Sequence, residues 1–168
     1  GKWHLGLGWA RQGDAPEAVD FSRPVTEGPV ALGFDTFFGI SASLDMPPYV
    51  YIADDRPTAV PDRIVPKNEG MGFWREGPAA PDFRHAEVLP TLTRKAAAWI
   101  REQAGKEAPF FLYYALPAPH TPILPGDAFR GRSGTNAYGD FCLDLDDAVA
   151  RLLAELDGCG LAKDTVVV

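Results

Sequence analysis

The 168-residue sequence has only two cysteines, Cys142 and Cys159, and neither sits in a C-x-x-C. That excludes a disulfide framework and a zinc knuckle, and it says nothing of the redox compartment. Positive charge is scarce: 16 Lys and Arg against 23 Asp and Glu give a net charge of -7. A generic nucleic-acid or anionic-membrane binder needs a basic surface, so those partners are excluded, although a local anion pocket is not. No apolar run is long enough to span a bilayer. The chain does not begin with Met, so the lack of a leader segment carries no information. Internal repeats and low-complexity tracts are absent as well.

Proline and glycine are plentiful, 16 and 17 residues, mostly before residue 90 and around 117–134. They predict long ordered loops on a scaffold. Hydrophobic content of 46% and this length suffice for one domain with a core. Residues 1–30 read as a strand end and a loop. "FDTFFGI" and "YVYI", within 34–52, read as short strands, and 53–88 as an irregular loop that wraps a site. Leu89, Leu92, Ala96, Trp99 and Ile100 recur at helical spacing before Gly105. "PFFLYYAL", 109–116, is apolar throughout and predicts a strand buried on both faces of a parallel sheet. Tyr138, Phe141, Leu145, Val149, Leu152 and Leu156 form the stripe of an amphipathic helix ending near Gly158 or Gly160. With "DTVVV", 164–168, as a strand start, residues 109–168 predict a βαβ unit.

Candidate chemistry sits in two places. In "GKWHLGLGW", Lys2 and His4 are two apart, so an extended strand points both to one face. A lysine point charge beside an imidazole suits a tetrahedral oxyanion, and a solvated strand end is the plainer reading. In "LPAPHTPILP", 116–125, four prolines frame His120. Proline stiffens the loop, which suits a general acid or an anion ligand, and equally a histidine that caps a carbonyl. His85 in "FRHAEVLP" is placed near a helix start without a partner. "GLGWAR" is no dinucleotide fingerprint, because Arg11 stands at its third glycine, and "GRSGT" is no nucleophile elbow. Asp54-Asp55 and Asp146-Asp147 read as solvated or capping carboxylates.

Taken together, "GKWHLG", "GFDTFFGISASLDMPPYVYI", "PFFLYYALPAPHTP" and "NAYGDFCLDLDDAVARLLAELDGCGLAKDTVVV" resemble the sulfatase family of the alkaline-phosphatase-like superfamily. The resemblance implies an α/β fold, a mostly parallel sheet flanked by helices, of which residues 1–168 are the central part of a single catalytic domain. It implies hydrolysis of sulfate monoesters, aryl sulfates or sulfated carbohydrates, by a formylglycine nucleophile and Ca²⁺. Lys2 would contact the sulfate oxygens. His4 would hydrogen-bond the nucleophile and take its proton, and His120 would hold the sulfate and protonate the leaving alcohol. Ser43 matches a serine lining the same site. The partner would be a sulfate-ester small molecule or a sulfated glycan, met in the periplasm, outside the cell or in the lysosome.

The sequence departs from that pattern in one respect above all. It contains no C/S-x-P/A-x-R motif, so the nucleophile is missing, and the Ca²⁺ ligands of the family have no counterpart in it. These 168 residues are therefore expected to be an incomplete fragment that does not turn over a sulfate ester. The alternatives are a phosphate- or phosphonate-ester hydrolase of the same superfamily, and a non-catalytic module that binds an anionic glycan.

Overall fold

The structure, a computed structural model, describes residues 1–13 and 18–168. Residues 14–17 of the first predicted loop lie outside the described residues. The architecture is mixed α/β. Among the described residues, five short strands, β1 (Phe38–Gly39), β2 (Ile52–Ala53), β3 (Arg56–Pro57), β4 (Arg63–Val65) and β5 (Gly77–Ala79), precede two α-helices, α1 (Val88–Gln103) and α2 (Ala137–Gly158). The strands form an antiparallel sheet in the order β1-β2-β3 and a separate antiparallel pair β4-β5.

Both helices form where the apolar periodicity places them. In α1, Val88, Leu89, Leu92, Thr93, Ala96, Ala97 and Ile100 are buried, one continuous stripe at helical spacing. Pro90 falls in the first turn, where an N–H has no intrahelical partner to lose. The chain leaves α1 through Gly105 at φ +79°. In α2 the Asn136 side chain caps the start by accepting from the Gly139 N–H at 3.0 Å. At its end the Leu161 N–H reaches the Leu156 carbonyl, and the Gly160 N–H reaches Asp157. With Gly160 at φ +71°, this is a Schellman stop. Ala96, Ala97 and Ile100 of α1 pack on Leu152 and Leu156 of α2.

The N-terminal segment lies between two others. Lys2 N–H donates to the Ala115 carbonyl at 2.7 Å, Trp3 N–H to Ile40 at 3.0 Å, and His4 N–H to Ser41 at 2.9 Å. Lys2 and Ile40 are in parallel register. The approach is so close that a Cβ on Gly39 would collide with the Gly1 carbonyl oxygen, and one on Gly1 would stand 2.7 Å from that of Ala115. These two glycines hold no unusual dihedral. They are needed for contact between backbones.

Two expectations are corrected. "PFFLYYAL" joins no strand ladder, and none of its residues is fully buried. Phe110, Leu112 and Tyr114 pack on the helices, and Tyr114 Oη lies 2.8 Å from Thr93 Oγ1 of α1. Phe111 and Tyr113 stay 76% and 57% exposed, along a cavity of about 730 Å³ that no described element fills. "DTVVV" forms no strand, and Val166 is 89% exposed, because no described segment pairs with it. The βαβ unit is therefore a segment outside any ladder, a helix and an unpaired tail. The predicted irregular loop 53–88 carries β3, β4 and β5.

Gly39→Ala is expected to lower the unfolding free energy by about 1–3 kcal/mol, because backbone cannot yield to the added methyl. The exposed Ile64→Ala should change it by less than about 0.5 kcal/mol. Urea midpoints measure both, and an unmoved midpoint for Gly39→Ala would show that the segments do not touch.

Candidate functional site

His4 does not continue the strand. Its φ of +58° is left-handed, a region that side-chain-bearing residues seldom adopt. The expected same-face pairing of Lys2 and His4 in an extended strand is therefore not what the structure builds. The turn delivers the His4 ring to Ser43. The Ser43 N–H donates to His4 Nδ1 at 3.0 Å, and Ser43 Oγ lies 3.1 Å from the same atom. An amide N–H can only donate, so Nδ1 carries the lone pair and the neutral ring carries its proton on Nε2. Ser43 is buried, so this anchor is sheltered from water while the His4 ring remains exposed.

His120 has the opposite tautomer. Its Nδ1 lies 2.7 Å from the carbonyl oxygen of Thr121, which can only accept, so Nδ1 carries the proton. Nε2 is then the atom left to meet a ligand. The loop is fixed by the buried rings of Pro117 and Pro122. It is also tied to the turn Gly70–Gly72, where the Met71 carbonyl accepts from Ile123 N–H at 2.8 Å and Thr121 Oγ1 at 3.2 Å. One nitrogen thus caps a carbonyl, as the plainer reading of His120 expects, and the other is left free of that bond.

Lys2 is half-buried, and its ammonium makes no ion pair among the described residues. It lines the 730 Å³ cavity, which neither histidine nor Ser43 does. The structure thus brings His4 and Ser43 into contact. It holds Lys2 two residues away by backbone and His120 five residues past Ala115, the partner of Lys2. The cavity wall is mostly aromatic and apolar, and the polar chemistry lies at the loop ends instead.

Two residues behind these loops, Asp45 and Arg75, escape a reading of the sequence. Asp45 is 7% exposed, with Oδ2 3.2 Å from Arg75 and Oδ1 without a partner. His85 stacks on Trp74 with ring centroids 4.1 Å apart and meets Tyr49 and Phe83 edge-on. Burial, helped by the Arg63 charge, pushes its imidazole down to about 4, so it is neutral at neutral pH. The placement of His85 just before α1 is as the sequence predicts, but its aromatic cage is not. The available signal was a lone aspartate inside the otherwise apolar run "SLDMPPYVYI". Among the described residues no three His, Cys, Asp or Glu side chains gather as metal ligands. These residues do not by themselves fit Ca²⁺. No helix is long and apolar enough to cross a membrane.

Comparison with known proteins gives a consistent result. The family model described as Sulfatase matches residues 1–168. N-acetylgalactosamine-6-sulfatase of Mus musculus is 32% identical over 99% of the chain and 28% of its own length. N-acetylgalactosamine-6-O-sulfatase of Bacteroides thetaiotaomicron is 26% identical over 100% of the chain and 38% of its own length. Arylsulfatase A of Homo sapiens is 29% identical over 100% of the chain and 31% of its own length. A solved structure described under the metabolism of multiple glycosaminoglycans by Bacteroides thetaiotaomicron superposes with a TM-score of 0.75. It is 25% identical and covers 95% of this chain and 39% of that one. The chain thus spans less than two fifths of the length of each of these proteins.

Two-bond ¹H–¹⁵N spectra should show the Nε2–H form for neutral His4 and the Nδ1–H form for neutral His120. The same tautomer at both rings would contradict the geometry.

Proposed function

We propose a sulfuric ester hydrolase role for this chain, which belongs to the sulfatase family and has that family's α/β, alkaline-phosphatase-like fold. Residues 1–168 would be the central part of a single catalytic domain in a longer enzyme. The observation that carries the proposal is the pair of histidines anchored through Nδ1 in opposite senses, His4 to an amide and His120 to a carbonyl.

Each residue then has a distinct task. Lys2 supplies a compact positive charge to the sulfate oxygens. Neutral His4, with its proton on Nε2, donates a hydrogen bond to the same anion. Taking a proton at Nε2, the role that the resemblance implies for His4, first requires the ring's own proton to move to Nδ1, which breaks the hydrogen bond from the Ser43 amide. His120 keeps Nδ1–H on the Thr121 carbonyl, so Nε2 is the site that holds a proton and passes it to the leaving alcohol. Ser43 fixes the His4 ring. Together they gather donors and positive charge where the transition state concentrates negative charge, within a protein of net charge -7.

The sequence has no C/S-x-P/A-x-R motif, so the nucleophile belongs to another part of the enzyme. Ca²⁺ is likewise assigned to the longer enzyme as the family's cofactor. The substrate class is a sulfate monoester, of a sulfated carbohydrate or an aryl alcohol. The names of the two N-acetylgalactosamine sulfatases and the arylsulfatase among the relatives support this class over the phosphate-ester and glycan-binding alternatives. By its family resemblance the enzyme would act in the periplasm, outside the cell or in the lysosome.

In the full-length enzyme, His4→Ala and His120→Ala should each lower kcat/KM on 4-nitrophenyl sulfate by about 10²–10⁴-fold. The 168-residue chain alone should show none. Wild-type rates in both variants, or turnover by the isolated chain, would overturn the assignment.

A further inference from the structure

We propose that Asp45 and Arg75 are positioning residues whose ion pair latches the loop 66–75 between the two histidine loops, an inference that rests on the sulfatase reading above. The loop is closed on itself. Asn68 and Trp74 pair across it, Asn68 Nδ2 donates to the Gly72 carbonyl at 2.7 Å, and Trp74 Nε1 donates to Pro66 at 3.0 Å. Being a single compact body, it transmits displacement from one side to the other.

On one side it grips the segment that holds His4. The Arg75 guanidinium meets Asp45 Oδ2 at 3.2 Å, and the Arg75 N–H donates to the Asp45 carbonyl at 3.1 Å. Tyr49 Oη closes the corner by donating to the Arg75 carbonyl at 2.6 Å. Asp45 lies two residues beyond Ser43, within the turn closed by the Met46 N–H on the Ser43 carbonyl at 2.9 Å. On the other side, the Met71 carbonyl receives Ile123 N–H and Thr121 Oγ1, and the Thr121 carbonyl receives His120 Nδ1. A continuous path of contacts therefore joins one imidazole to the other.

Two features make Arg75 the latch. The Asp45 carboxylate is nine-tenths buried, and its Oδ1 has no partner, so Arg75 is the charge that offsets it. A buried carboxylate stripped of its cation does not keep its place. The Arg75 side chain is itself 52% exposed. Burial of its own stem is not what holds it there. The second anchor is the stack of Trp74 on the neutral ring of His85, which orients the loop without charge.

The test uses the full-length enzyme, with amide exchange and kinetics on 4-nitrophenyl sulfate read together. Arg75→Ala should raise exchange at the Ile123 N–H about tenfold or more while α1 and α2 keep their protection. Arg75→Ala and Asp45→Asn should each lower kcat by about 10–100-fold with KM within about threefold. Arg75→Lys, which keeps the charge, should recover most of the loss. The double variant should be no worse than the poorer single variant by more than about threefold, because the two act as one unit. Unchanged Ile123 exchange, wild-type kcat, or a rise in exchange spread equally over both helices would overturn the latch. If the wild-type enzyme shows no turnover, the sulfatase reading fails on its own, and Ile123 exchange in Asp45→Asn and Arg75→Lys decides the latch.

Discussion

The rest of the structure depends on the contact between three backbones at Gly1, Gly39 and Ala115. Side chains would hold these segments apart, and two glycines let them meet. The hydrogen bonds of Lys2, Trp3 and His4 to Ala115, Ile40 and Ser41 then fix where each segment ends. Every candidate functional residue lies at or just beyond such an end. His4 turns off at φ +58°, Ser43 follows Ser41 by two residues, and His120 follows Ala115 by five. The "GKWH" motif is thus one physical device. Its glycine permits contact, its tryptophan is buried against Phe34 and Phe37, and its lysine and histidine are carried to the edge.

The two helices support this arrangement from behind. Burial of the Ile100, Leu152 and Leu156 side chains accounts for their mutual packing, at about 1.5–3 kcal/mol for each fully buried side chain before entropy is counted. Thr93 of α1 meets Tyr114, which holds the 109–116 segment against the helix layer. The surface pair Arg101 and Glu155 adds little by comparison. Apolar burial places the frame, and polar contacts of a few residues set the angles at which the imidazoles stand.

Helices were legible in the sequence because their signals are local. The stripe from Leu89 to Ile100 and the stops at Gly105 and Gly160 need no knowledge of distant residues. The aromatic segment 109–116 misled for the opposite reason. Its residues alternate between helices on one side and an open aromatic cavity on the other, so its continuous apolarity does not mark a strand buried on both faces. For the site, Lys2, His4, Ser43 and His120 could be named from motifs, but the His4 turn could not, because a left-handed histidine has no compositional mark. Asp45 meets Arg75 across 30 residues and His85 meets Tyr49 across 36, and no short window contains both ends of either contact.

In the proposed site, the edge built at Gly1, Gly39 and Ala115 would gather Lys2, His4 and His120 around one sulfate. A crystal structure of the full-length enzyme with bound sulfate tests it most directly. One anion is expected within about 3.2 Å of Lys2 Nζ, His4 Nε2 and His120 Nε2 together. A sulfate held elsewhere, or one that His4 meets through Nδ1, would contradict it.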